Sequence, residues 1–265
     1  MWPPVPPCGT IRVMPRRPPS PLGHPLRHPV AAPPAATAAT AVATRPLRTR
    51  AEPVTGVVLA GGRSRRMGMD KAFIELAGRP LIAWVLDALA TVTAHRIIVT
   101  HDDDPRYDRF GVPVIVDRLP ARCPLSGLHA GISAAPTDLV LAVACDLPLV
   151  QPPLLALLAD AIGDALAALP DAGPTPLPAR HPTPDIGAGG LQPLLAAYRR
   201  SCVPAIERLL ADGPAPATMV ASTVPTVIVR PDRWHAADPD GRSFHNVNTL
   251  TDLAAAAQLL NRMAP

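Results

Sequence analysis

The apolar positions of this chain fall in short, punctuated runs. Val57, Val58, Leu59 and Ala60 form an unbroken run that stops at Gly61 and Gly62, which is how a short strand buried on both faces reads. Phe73, Ile74 and Leu76 lead to a turn at Ala77 and Gly78. Pro80 then opens a helical stripe of Leu81, Trp84, Val85, Leu86 and Leu89, with Trp84 expected as a core aromatic. Further apolar runs at Ile97 to Val99, Val112 to Val116 and Leu139 to Cys145 predict strands. The segment LQPLLAAYRRS from Leu191 reads as the start of a helix continuing through Ile206, Leu209 and Leu210 to a stop at Gly213. A strand at Thr226 to Val229 and a helix from Leu250 to Leu260, with Thr249 at its N-cap, complete the pattern. Strands alternating with helices, without hairpin signals, predict an α/β fold of Rossmann-like character with a mostly parallel central sheet.

Open sheets of this kind bind ligands at the carboxyl ends of their strands, so the residues that follow each run carry the functional signal. Gly61 and Gly62 allow a sharp turn that brings bare N–H groups close to a ligand. Arg63, Arg65, Arg66 and Lys71 then supply charge suited to a polyphosphate. Asp117 follows one strand and Asp146 another. A single aspartate there is an ordinary helix cap, but two beside a basic glycine loop read better as a metal and phosphate site. Asp102, Asp103 and Asp104 read as a solvated acidic loop, and His101 and His129 have no partner at metal-ligand spacing.

Composition changes the picture at two places. Residues 1–53 hold 14 of the 37 prolines and seven arginines, with Glu52 as their only acid, and are expected to be a disordered, dispensable extension. Without those seven bases and one acid, the 25 basic and 21 acidic residues become 18 and 20, a net charge of −2 for residues 54–265. The basic balance therefore belongs to the extension and gives no support for a nucleic-acid surface. Between 163 and 190, six prolines from Pro170 to Pro184 argue for a loop or insertion in place of a sheet strand. No apolar stretch reaches the roughly 18 residues of a membrane span, so a soluble, cytoplasmic protein is expected. The four cysteines form no C-x-x-C pair and imply neither a zinc cluster nor a disulfide framework; Cys145 reads as a small core residue.

The string LAGG-x-S-x-RMG-x-DK runs without a gap from Leu59 to Lys71. It is neither a P-loop nor a dinucleotide fingerprint. It resembles the signature of the molybdenum cofactor guanylyltransferases, nucleotidyltransferases with a three-layer Rossmann-like domain. Cys123-Pro124-Leu125-Ser126-Gly127-Leu128, the run AVACDLPLV from Ala142 to Val150, LQPLLAAYRR and the turn Asn246-Val247-Asn248-Thr249 resemble further family segments in the same order. By this resemblance Leu59, Ala60, Gly61 and Gly62 line the nucleotide, Arg66 and Lys71 reach it, and Asp117 contacts it. Asp146 binds magnesium and the triphosphate, with Asn248, ahead of Asn246, beside the metal. Gln192 and Arg199 are the polar residues expected nearest the cofactor cleft. The asparagine that the family often places after the second strand is missing, since this chain has Thr100-His101-Asp102 there.

The resemblance implies that Mg2+ assists transfer of GMP from GTP to a molybdopterin-type molybdenum cofactor, releasing pyrophosphate. Molybdoenzymes or cofactor-handling proteins are the further partners it suggests. The guanine preference rests on Leu59-Ala60-Gly61-Gly62, where relatives using cytidine triphosphate more often carry Leu-Ala-Ala-Gly. Transfer is mainly positioning and charge neutralisation, because the attacking phosphate is already ionised. Two alternatives stay open on sequence: transfer of another nucleotide or to another phosphorylated acceptor, and a carrier that holds nucleotide or cofactor without catalysis.

Overall fold

A computed structural model of the chain describes residues 52–60, 70–173 and 190–262. The expected disordered extension lies outside the described residues except at its end, where Glu52 is ion-paired to Arg199 at 3.0 Å and so is tied to the folded part.

Seven strands form the central sheet. β1 (Val54–Leu59) lies third from one edge, with β4 (His95–Thr100) and the edge strand β5 (Val114–Val116) on that side. β6 (Leu139–Ala144) is its other neighbour, followed outward by β8 (Leu195–Arg199), β7 (Ala167–Pro170) and β9 (Thr226–Val229). All pairs are parallel except those made by β8, which runs against both β6 and β7. Outside the sheet, β2 (Glu75–Leu76) and β3 (Arg79–Pro80) make a two-stranded ribbon. Its turn residues Ala77 and Gly78 both have positive φ, 50° and 75°, the twist that a two-residue hairpin requires. The sequence gives no strong sign of this hairpin because Ala replaces the usual Asn or Asp at the first position.

Side chains alternate between the two faces with the strand period of two. On one face Val54, Val58, Leu141 and Val143 pack under α1 (Leu81–Ala90) and α3 (Pro152–Ala161). On the other, Val57, Val99, Val140 and Ala142 pack under α2 (Pro124–Ala134), α4 (Val203–Leu210) and the short α5 (Val220–Thr223). The result is the expected three-layer α/β arrangement. Two further helices, α6 (Pro231–Trp234) and α7 (Leu250–Asn261), follow β9. A smaller apolar cluster of Ile74, Leu76, Leu81, Leu149, Val247 and Ala256 joins α7 and the hairpin to the end of the sheet where the site lies. Trp84 is only half-buried: its indole N–H donates to the Leu76 carbonyl at 3.1 Å and Arg79 stacks on its ring.

Two expectations are corrected. Residues 195–199 are a strand, not the start of a helix, and the helix begins only at Val203. The proline-rich region is narrower than 163–190, because β7 occupies Ala167–Pro170 and Asp171 forms a bridge to Leu191. Pro170 is accommodated as the last residue of that strand, where its carbonyl still accepts from the Gln192 N–H at 3.0 Å. Residues 174–189 lie outside the described residues.

Candidate active site

The carboxyl ends of β1, β4 and β6 open on a cavity of about 960 Å3. At the end of β6, the Cys145 N–H donates to the Leu59 carbonyl at 3.0 Å, which places Asp146 beside the carboxyl end of β1. The Val247 N–H donates to the Asp146 carbonyl at 2.8 Å and pins the asparagine turn against it. Asp252, at the start of α7, accepts from the Asn248 and Thr249 N–H groups at 2.9 and 2.8 Å and completes the expected N-cap at Thr249. Three chain segments thus meet at Asp146.

The third is the turn Lys71–Phe73, capped by Asp70, whose Oδ1 accepts from the Ala72 N–H at 3.1 Å. It presents Lys71, whose ammonium donates to Asp146 Oδ2 at 3.0 Å and also to Asn248 Oδ1. Asp146 Oδ1 and Asn246 Oδ1 are buried acceptors without a hydrogen-bond partner among the described residues. Unpaired buried oxygens on residues that line a cavity are the donor type that a small hard cation takes, completed by water and phosphate. The residues present therefore fit a magnesium ion. No group of three or more His, Cys, Asp or Glu residues placed to hold a metal by themselves occurs among the described residues. Burial, and then the neighbouring Asp146 carboxylate, push the Cys145 thiol well above its ordinary range, so it stays protonated and inert as a core residue.

Asp117 stands differently. Its N–H donates to the Thr100 carbonyl at 2.7 Å, and its side chain is fully buried. Oδ1 accepts from the Leu119 N–H at 3.0 Å and Oδ2 from the Ser126 hydroxyl at 2.6 Å. His101 Nδ1 lies 3.2 Å from Oδ2 without hydrogen-bond alignment, and it is His101, not Asp117, that lines the cavity. The two aspartates do not converge on one metal position. Asp117 instead holds the start of α2 and backs His101. The acidic loop is solvated as expected: Asp102 pairs with Arg122 at 2.5 Å and Asp104 with Arg106 at 2.6 Å.

Of the other residues singled out in sequence, Leu59 and Gln192 line the cavity, and Ala60 is buried beside it with its N–H donating to the Val99 carbonyl at 2.8 Å. Gly61, Gly62 and Arg66 lie outside the described residues. Arg199 is nowhere near the cleft. In the antiparallel β8 it pairs with Leu139 at the opposite edge of the sheet, where its guanidinium joins Glu52, Asp138 and the Gly163 carbonyl. Sequence reasoning missed His101 and Arg122, whose signal was their position just after a strand and just before a helix. It also missed Pro214, Ala215, Pro216 and Ala217, which give the cavity an apolar stretch of lining.

Comparison with known proteins agrees with this layout. The family model described as the MobA-like NTP transferase domain matches residues 56–225. A probable molybdenum cofactor guanylyltransferase of Chloroflexus aggregans is 33% identical over 76% of this chain and 91% of its own length. The molybdenum cofactor guanylyltransferase of Desulfosudis oleivorans is 31% identical over 77% of this chain and 95% of its own. Among solved structures, the molybdopterin-guanine dinucleotide biosynthesis protein A of Archaeoglobus fulgidus superposes with a TM-score of 0.65 at 25% identity, covering 79% of this chain and all of that one.

Proposed function

The chain belongs to the MobA-like NTP transferase family, and on that premise we infer that it is a molybdenum cofactor guanylyltransferase, moving GMP from GTP to the phosphate of a molybdopterin-type cofactor. The observation that carries this reading is the meeting of Lys71, Asp146 and the Asn246–Asn248 turn at the carboxyl edge of the sheet. In the reaction an acceptor phosphate oxygen bonds to the α-phosphorus of GTP while the α–β bridging oxygen departs with pyrophosphate. The nucleophile arrives ionised, so no protein base is required, and at Asp146 one carboxylate oxygen is already held by Lys71.

Each residue then has a physical task. Lys71, only 15% exposed, sets a fixed positive charge where the phosphates crowd, and Asp146 and Asn248 hold it there. Asp146 Oδ1 and Asn246 Oδ1 are the atoms proposed to hold Mg2+, with Asn248 at its margin because its oxygen is already engaged. When bound, the ion would neutralise the developing charge on the phosphate oxygens. Gly61, Gly62 and Arg66 are proposed to cradle the triphosphate, and Leu59 and Ala60 to flank the nucleoside. His101, backed by Asp117, borders the same cavity. No helix among the described residues is long and apolar enough to cross a membrane. A cytoplasmic reaction is proposed, since GTP is a cytoplasmic metabolite.

The test is an assay of the purified protein with Mg2+, molybdopterin-bound molybdenum and either GTP or CTP, following pyrophosphate and the dinucleotide product. Release with GTP only in the presence of acceptor is expected, and chelation should stop it. A preference for CTP would overturn the base assignment. Tight nucleotide binding without release would favour the carrier.

A further inference from the structure

Tyr107 is a buried tyrosine that no motif accounts for, only 1% exposed, in the turn Pro105–Phe110 that follows β4. Its ring packs on Phe73 with centroids 4.8 Å apart. Its hydroxyl lies 2.9 Å from Asp70 Oδ2 and 3.2 Å from the Ala60 carbonyl. These two acceptors stand on either side of residues 61–69, one ending β1 and the other beginning the turn that carries Lys71. The single hydroxyl hydrogen is directed mainly to the nearer, charged acceptor, with the carbonyl taking the weaker share. Burial, and then the Asp70 carboxylate, push the phenol far above its ordinary range, so it remains a donor at any working pH.

The other oxygen of Asp70 caps the Lys71 turn through the Ala72 N–H, and Arg106 approaches Oδ2 from the solvent side at 3.9 Å. Asp70 therefore converts the position of the tyrosine hydroxyl into the position of the turn. We propose that Tyr107 is a positioning residue for the nucleotide grip, fixing Ala60 and, through Asp70, the ammonium of Lys71. This rests on the transferase reading above. Packing alone would be served equally by phenylalanine, and that difference makes the idea testable.

Tyr107→Phe keeps the ring and removes the tie. Binding of Mg·GTP, measured by calorimetry, should weaken about tenfold, and kcat/KM for GTP should fall at least as much, as for loss of a hydrogen bond to a charged group. KM for the acceptor should hardly move, and the melting temperature should fall by no more than a few degrees, as for one lost buried hydrogen bond. Hydrogen exchange at the Ala72 amide should quicken while the β1 amides stay protected. In an Asp70→Ala background, Tyr107→Phe should weaken GTP binding clearly less than in the wild type, because only the weaker tie to the Ala60 carbonyl is left to lose. Wild-type GTP binding in the folded variant, or an equal loss in the Asp70→Ala background, would overturn the proposal. Absence of transfer by the wild-type protein would instead remove the functional reading, and the binding and exchange comparisons would still decide the role of Tyr107.

Discussion

The two carboxylate oxygens of Asp146 have unlike surroundings: Oδ2 holds Lys71, and Oδ1 is buried without a partner among the described residues. Removing this side chain should therefore damage chemistry far more than folding. Asp146→Ala is expected to cut turnover by about 10³-fold or more, as for loss of a main charge-stabilising group. The variant should still fold, with a lower melting temperature because the largely buried Lys71 ammonium loses its carboxylate partner. A variant with near wild-type pyrophosphate release would refute the role. The asparagines can be separated by magnesium titration: Asn246→Ala should raise the half-saturating Mg2+ concentration, whereas Asn248→Ala should chiefly lower kcat by loosening Lys71. The reverse pattern would return the ion to Asn248. Asp146 and Lys71 were legible in sequence because each sits in a contiguous motif. The division of labour between Asn246 and Asn248 was not, since it depends on which oxygen Lys71 takes. Nor was the pairing of Asp70 with Tyr107, which only the fold brings together across 37 positions.

At the scale of elements, α2 shows how closely a helix must approach the sheet to bring its start to the site. A Cβ at Gly131 would stand 2.5 Å from Val57 Cγ1 and 3.2 Å from Val99 Cγ2. Alanine is normally better than glycine inside a helix by about 1 kcal/mol. Here the obstacle is a fully buried β-branched side chain, and overpacking costs about 1–3 kcal/mol. Gly131→Ala is thus expected to be net destabilising, lowering the melting temperature by several degrees, whereas a rise would show that α2 can move away. The strands β1, β4, β5, β6 and β9 were readable as apolar runs, each with at least two β-branched residues. β7 and β8 were not. Their sequences AALP and LAAYR are rich in alanine and leucine and buried on both faces, so they carry neither the alternation of a half-exposed strand nor a helical stripe. Prolines that argued against a strand begin at its last residue.

For the whole molecule, the sheet separates a chemical edge from a structural one. Lys71, Asp146 and the asparagine turn occupy the first, while Arg199, held by Glu52, Asp138 and the Gly163 carbonyl, ties the chain together at the second. Arg199→Ala should lower the melting temperature by a few degrees yet leave kcat and both KM values within about twofold, since salt-bridge networks of this partly exposed kind contribute about 1 kcal/mol. Removing residues 1–50, which spares Glu52, is expected to leave activity and melting unchanged. A large loss of either would give the extension a role. The α/β class, the order of motifs and the location of the site at the strand ends were legible because the chain delivers them locally. The reversed direction of β8 was not, because nothing in an apolar run encodes which way it points. That reversal has a consequence for how the protein can change. β7 runs toward the chemical edge and β8 departs from it, so the connection between them begins and returns at the same place, closed by the Asp171–Leu191 bridge and the Ala172 N–H to the Gly190 carbonyl at 3.0 Å. Doubling such a connection adds only about 0.6 kcal/mol of closure entropy cost, and halving it removes as much. Evolution, or an engineer, can therefore lengthen or trim the chain there without disturbing strand register, while the scaffold stays as it is.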